Sequence, residues 1–327
     1  MILAGDIGGT KTYLALFDKS ANRLENIVRF ENQNFPDFDS ILEEYFKDNQ
    51  QRPVNVCLGV AGPIVNGSCD LTNIDWRIEA GRLEKEFDTV FLINDLVATA
   101  CAVPFLEDED IAILQPGITS NEGRIGVVAA GTGLGEAFLI PAGENKYFVL
   151  DSEGGHADFS PRNKLETELL FYLKRKFSRI SIERVVSGSG LIHIFEFVKE
   201  RFSISDSENW EKGLSKEKLA SEIINRAVQN QSQVCEKTLF LFAELYGALA
   251  GNLALQFLAK GGVYLGGGIA PKILPFLTNG KFIEAFLSKN RFENLLAEIP
   301  VKVILNEKAA LLGAARYALG ERFKIIN

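Results

Sequence analysis

The chain opens with two strand-like runs around a glycine turn. Ile2-Leu3-Ala4-Gly5 leads into Asp6-Ile7-Gly8-Gly9-Thr10-Lys11, and Thr12-Tyr13-Leu14-Ala15-Leu16-Phe17 returns. Short apolar runs broken by Gly-Gly predict a β-hairpin rather than a strand followed by a helix. The same grammar recurs a domain length later: Ile125 to Ala130, then Gly131-Thr132-Gly133, then Glu136 to Ile140. Self-similarity at that spacing predicts duplicated halves. Its 327 residues exceed what one hydrophobic core usually supports, so two domains are expected.

Further elements follow from periodicity and punctuation. Leu24 to Phe30, Val54 to Val60 and Val90 to Ile93 read as strands, and Phe38 to Lys47 as an amphipathic helix. A helix starts at Asn94 or Asp95 and stops near Val103, before Pro104. Lys164 to Phe177 and Ser232 to Ala259 are helices, the second with Gly247 and Gly251 one turn apart for close helix packing. Val263 to Leu265 is a strand opening onto Gly266-Gly267-Gly268, followed by a helix from Ala270 with Pro271 at its start. Val301 to Leu305 and Ala309 to Leu319 form a last strand and helix. Thr238 to Ala259 is long enough to suggest a membrane span. Glu244, Asn252 and Gln256 interrupt it, which favours a buried helix.

Composition narrows the partners. The formal charge of −8 offers no global attraction to nucleic acid or to an anionic membrane. The cysteines Cys57, Cys69, Cys101 and Cys235 form no CxxC pair, so a zinc ribbon or dithiol site is not expected and a reduced, cytoplasmic setting is. Ile2 to Ala4 is too short, and lacks the basic flank, for a signal peptide.

Gly5-Asp6-Ile7-Gly8-Gly9-Thr10 is neither of the common glycine motifs. A P-loop would need Gly where Thr10 stands before Lys11-Thr12, and the dinucleotide fingerprint would need a helix to follow. What remains is a tight turn whose amides can face an anion, since Gly8 and Gly9 lack side chains. Asp6 would repel a phosphate, unless Mg²⁺ or its bound water stands between them. Gly131-Thr132-Gly133 offers a second amide cradle, and Gly266-Gly267 a place for close approach of a flat ligand. A plain hairpin turn is the alternative for each.

Together these stretches resemble the bacterial glucokinase family of the hexokinase/actin-like ATPase superfamily. GDIGGTKT, LTNIDW, FLINDLVATA, GTGLG, SEGGHADFSP, ERVVSGSGL and VYLGGGIAP run in the family's order over nearly the whole chain. The resemblance implies an α/β, two-lobed actin-like ATPase (ribonuclease H-like) fold with a deep interlobe cleft. Residues 1–108 with a C-terminal return over 303–327 would form the smaller lobe, and 109–302 the larger. It implies Asp95 as catalytic base, and Asn73, Asn94, Asp95, Glu153, His156 and Glu183 as sugar ligands. ATP with Mg²⁺ would sit on the glycine turns, with Asp6 holding the metal through water. No cysteine cluster follows His156, which points to the zinc-free branch without structural zinc. Lys11 departs from members that carry an uncharged residue there. His193, in an apolar helical context, reads as structural. The implied activity is phosphorylation of glucose at its 6-hydroxyl in the cytoplasm, feeding glycolysis. Mannose, fructose, glucosamine or an N-acetylhexosamine as substrate, a non-catalytic sugar sensor, and self-association as a homodimer stay open.

Overall fold

The computed structural model describes residues 1–49, 51–71, 74–118, 120, 122–143, 145–206, 210–320 and 322–324. The chain divides into two compact units: Met1–Asp108, Ala137–Asp151 and Asn306–Asn327 in the first, Glu109–Glu136 and Ser152–Leu305 in the second.

The first unit starts with strands β1 (Ile2–Ile7), β2 (Lys11–Asp18) and β3 (Arg23–Glu31), then helix α1 (Phe38–Asp48) and strand β4 (Asn55–Val60). A small antiparallel sheet of β5 (Ile64–Val65), β6 (Ser68–Asp70) and β7 (Arg77–Glu79) follows, then α2 (Ala80–Leu83), β8 (Thr89–Asn94) and α3 (Asp95–Ala102). The main sheet runs β3-β2-β1-β4-β8, antiparallel on one side of β1 and parallel on the other. The predicted hairpin is therefore present, with Asp6 opposite Tyr13 on β2 and Gly59 on β4. Buried Phe38, Ile41, Leu42, Tyr45 and Phe46 recur at helical spacing along α1, whose N-cap Asp37 accepts the Ser40 N–H. They join Leu14, Leu16, Phe30, Leu58 and Phe87 in one apolar core. Burying each such side chain contributes about 1.5–3 kcal/mol. The C-terminal helix, Ala309–Leu319, packs on α3. Gly313 permits this, because a Cβ there would lie 1.7 Å from the Ala98 carbonyl oxygen.

Strands β9 (Ile111–Gln115), β10 (Ile125–Ala130), β11 (Leu134–Pro141) and β12 (Tyr147–Ser152) come next, then α4 (Lys164–Lys174), α5 (Gly188–Phe202), α6 (Lys216–Val228) and α7 (Gln233–Phe257). The chain continues with β13 (Gly262–Gly266), α8 (Leu274–Leu277), α9 (Lys281–Leu287), α10 (Glu293–Ala297) and β14 (Val301–Ile304). The second sheet runs β12-β11-β10-β13-β14-β9. Its first five strands repeat the order of the first sheet: third, second, first, fourth, fifth. The repeat seen at two turns thus extends to a duplicated α/β topology of the actin-like ATPase type. The segment Ala137–Asp151, which the sequence reading gives to the larger lobe, lies with the first unit. Tyr147 holds it there, exchanging backbone hydrogen bonds with Arg322 and Lys324.

Helix α7 is long and apolar enough to cross a membrane, but 78% of that window is buried in the protein. It serves as a core helix. Gly247 and Gly251 let α9 approach, since added Cβ atoms would stand 2.1 Å from the Phe282 oxygen and 2.5 Å from that of Phe286. One expectation is corrected. Ala270–Ile273 is a 3₁₀ turn and only Leu274–Leu277 is α-helical. Pro275 has no N–H to continue an α-helical ladder back to Pro271.

Candidate active site

In the first unit, parallel strands β1, β4 and β8 end side by side and deliver three polar residues. Asp6 lies near the end of β1, while Asn94 closes β8 and Asp95 opens α3. Asn94 is the N-cap: its Oδ1 accepts the N–H groups of Leu96 at 2.9 Å and Val97 at 3.4 Å. That oxygen is committed, so Asn94 has its NH₂ left for a ligand. Asp95 is relieved of capping, apart from accepting the Leu96 N–H through Oδ1 at 2.9 Å. Burial pushes its carboxyl above the ordinary carboxylate range, against the pull of that hydrogen bond. A helix held from two sides keeps Asp95 in place. Gly313 meets α3 on one side, and Gly59 on the other, where a Cβ would lie 3.0 Å from Ala98 Cβ and 3.5 Å from Asp95 Cα.

Asp6 is pushed up to about 7, first by burial and then by the negative charge of Asp95. Two carboxylates held this way form a place where a divalent cation would offset a standing cost. Mg²⁺ suits it, because this ion uses one or two carboxylates and keeps several waters.

Gly5 and Ile7 belong to the strand rather than to the turn surface. Ile7 is fully buried, and a Cβ on Gly5 would fall 2.6 Å from Leu58 Cδ2. The turn itself is braced by Asn32, which the sequence reading missed. Its Nδ2 donates to the Gly8 oxygen at 2.8 Å, its backbone N–H to the Thr10 oxygen at 3.0 Å, and its Oδ1 accepts the Thr12 hydroxyl at 2.8 Å. The N–H groups of Gly9 and Thr10 find no acceptor among the described residues. A turn with tied carbonyls and free amides is suited to an anion.

In the second unit Gly131-Thr132-Gly133 closes with the Gly131 N–H donating to the Gly133 oxygen at 2.9 Å. Nothing lies within 4 Å of a Cβ on Gly131, so that face is open. The first turn of α5 rests on this loop, with the Gly188 N–H donating to the Gly131 oxygen at 2.8 Å. Gly266 is buried at the end of β13, and Gly267 adopts φ +77°, where a Cβ would stand 2.4 Å from the Ala130 oxygen. The structure therefore brings the second and third glycine runs together.

The same loop carries the sugar candidates. Glu183 Oε2 accepts the Leu134 N–H at 3.0 Å, which fixes the carboxylate against Gly133. His156 stands between two acids, Nδ1 at 4.0 Å from Glu183 Oε1 and Nε2 at 3.7 Å from Glu153 Oε2. Glu153 to His156 is a 3₁₀ turn closed by the His156 N–H on the Glu153 oxygen at 2.9 Å. Glu153 and His156 remain well exposed. Two carboxylates within 4.0 Å of one imidazole present the acceptors and donors that a polyol needs. Asn73 lies outside the described residues. His193 bonds through Nδ1 with the Arg184 oxygen at 2.9 Å and meets the Phe177 ring edge-on, which is the structural role expected of it.

With this geometry in place, comparison with known proteins is decisive. The family model described as Glucokinase matches residues 3–321. The chain belongs to the glucokinase family. A glucokinase of Nostoc punctiforme is 43% identical over 96% of this chain and 98% of its own length. The crystal structure of a glucokinase from an Antarctic psychrotroph superposes with a TM-score of 0.85 at 31% identity, covering 98% of this chain and 99% of that one. A ROK family glucokinase from Streptomyces griseus, in complex with glucose and AMPPNP, shares the fold with a TM-score of 0.66 at 20% identity, over 97% of this chain and 99% of its own.

Proposed function

We propose that the protein transfers the γ-phosphoryl group of ATP to the 6-hydroxyl of glucose. The observation that carries this reading is the Glu153–His156–Glu183 group built onto the Gly131–Gly133 turn in a member of the glucokinase family. Asp95 accepts the proton of the 6-hydroxyl as that oxygen bonds to the γ-phosphorus. The bond from this phosphorus to the bridging oxygen then breaks, and ADP leaves. Burial raises the Asp95 carboxyl above the ordinary range, which makes it a stronger proton acceptor than an exposed carboxylate. Asn94 and Asn73 join Glu153, His156 and Glu183 in orienting the sugar, since hydroxyls both donate and accept.

Backbone amides of Gly9 and Thr10 beside Gly8, and of Thr132 and Gly133 beside Gly131, face the phosphates, with Gly266 and Gly267 toward the nucleoside. Asp6 would hold Mg²⁺ through water, and the bound ion supplies charge neutralisation to the phosphoryl oxygens. The two compact units correspond in this reading to the smaller and larger lobes of a sugar kinase. Ala157-Asp158-Phe159 after His156, without cysteine, favours the zinc-free branch, and the reduced thiols favour the cytoplasm.

An ADP-release assay over glucose, mannose, fructose, glucosamine and an N-acetylhexosamine tests the reading. Glucose should give the highest kcat/KM. Preference for another hexose would reassign the substrate, and glucose binding without ADP release would make the protein a sensor.

A further inference from the structure

Glu136 is an acidic residue of this region that the reaction above does not use. It lies on β11, three residues beyond Gly133, and strand alternation puts it on the same face as Leu134 and Phe138. The residue is 6% exposed. Among the described residues no cation pairs with it and no donor bonds to it, and burial raises its carboxyl above the usual range. Burying a carboxyl without a partner is costly, whereas an apolar side chain would fill the same space at no such cost. A local rule broken this way, next to a site, calls for a role in that site.

What Glu136 touches supplies the role. A Cβ on Gly154 would meet Glu136 Oε2 at 2.0 Å, Cδ at 2.6 Å and Oε1 at 3.1 Å, all three nearest atoms belonging to this one carboxyl. The backbone between Glu153 and His156 thus rests directly on it. The flanks of the turn are secured independently. The Gly154 N–H donates to Ser152 Oγ at 3.0 Å, Arg179 Nη2 donates to the His156 oxygen at 3.0 Å, and the Ile182 N–H donates to the Ala157 oxygen at 2.8 Å. Gly155 presses on Leu134, where a Cβ would stand 2.1 Å from its oxygen.

We propose that Glu136 is a positioning residue that sets the height of the Glu153–His156 turn, and through it how strictly the site discriminates between hexoses. The inference rests on the sugar-kinase reading and adds a residue that never touches substrate. It implies a reciprocal fit: glycine at 154 and a carboxyl at 136 occupy one shared volume.

The test is kinetic, on the full chain, with melting temperature measured alongside. Glu136→Ala should raise the glucose KM by ~10-fold and lower the glucose-over-mannose ratio of kcat/KM, because small misplacements of orienting groups are costly. Its ATP KM and its kcat at saturating glucose should stay within about 3-fold of wild type, because neither the base nor the phosphate turns move. Glu136→Gln, of equal size, should keep the wild-type KM and ratio. Gly154→Ala should reproduce the Glu136→Ala defect. The double variant should lose less than the product of the two single losses, since the methyl then enters the vacated volume. Wild-type KM and ratio in both single variants, or fully multiplicative losses in the double, overturn the proposal. Should Glu136→Ala fail to fold, Gly154→Ala with wild-type KM and ratio overturns it alone. No glucose phosphorylation by wild type would instead sink the parent reading, and this inference with it.

Discussion

Replacing Asp6 by Asn should make the protein more stable and less able to use Mg·ATP at once. In the free protein Asp6 titrates at about 7 instead of the ordinary 3.8, because burial and Asp95 both oppose its charge. The sign follows from linkage. The folded state binds this proton more tightly than the unfolded state does, so the group favours folding most at low pH. That contribution is lost as the pH rises from about 4 to about 7. The difference between about 7 and 3.8 corresponds to about 4 kcal/mol at ~1.4 kcal/mol per pH unit. Local relaxation and water entry reduce such figures, so about 2 kcal/mol is expected for Asp6→Asn at pH 8. Thermal melting without Mg²⁺ at pH 8 and pH 5 reads it, as a gain of a few degrees at pH 8 that shrinks toward pH 5. Asp6→Asn less stable than wild type at pH 8, or a gain equal at both pH values, would refute the claim that Asp6 is held charged against its preference.

Three further outcomes separate the parts of the site. Gly131→Ala places its methyl in open space and Gly133→Ala sets one 2.8 Å from Glu183 Oε2, so titration calorimetry should show the first weakening Mg·ATP and the second weakening glucose. Gly313→Val cannot be accommodated beside the Ala98 oxygen. Melting should show a loss of several kcal/mol, on the scale of ~3 kcal/mol for overpacking, with kcat falling as α3 shifts. His156→Ala should lower the ratio of kcat/KM between glucose and mannose, because one orienting partner is gone while Glu153 and Glu183 remain; an equal rise in KM for both sugars would show that His156 only braces the turn.

Much of this architecture was legible because glycine turns and strand alternation are local signals. Gly8-Gly9 and Gly131-Thr132-Gly133 mark two hairpins, and their duplication implies two related sheets. Elements shaped by tertiary context were not legible. Strands β5 to β7 are two or three residues long and carry no period, and α5 begins Gly188-Ser189-Gly190, which reads as loop until the Ser187 cap and packing on Gly131 appear. Asp95 is singled out by the family resemblance, with which its place between a strand end and a helix start agrees, and the division of labour with Asn94 emerged only from the hydrogen bonds. Gly5 and Ile7 sit within a motif suggestive of phosphate, yet their side-chain positions face a core. Asn32 is distant in sequence from the turn it braces, so nothing local reveals it. Glu136 did leave a trace, an acid in an otherwise apolar strand, on one face with Leu134 and Phe138.

The central claim is that Asp95 is the base for glucose phosphorylation, and Asp95→Asn measures it most directly. The side chain keeps its size and can still accept the Leu96 N–H through its amide oxygen, so the helix start should survive. Steady-state assay with glucose and Mg·ATP should show kcat reduced by at least ~10²-fold, while calorimetry shows glucose binding within a few-fold of wild type. A variant that turns over glucose at near the wild-type kcat would contradict the account and leave Asp95 a helix-start residue and nothing more.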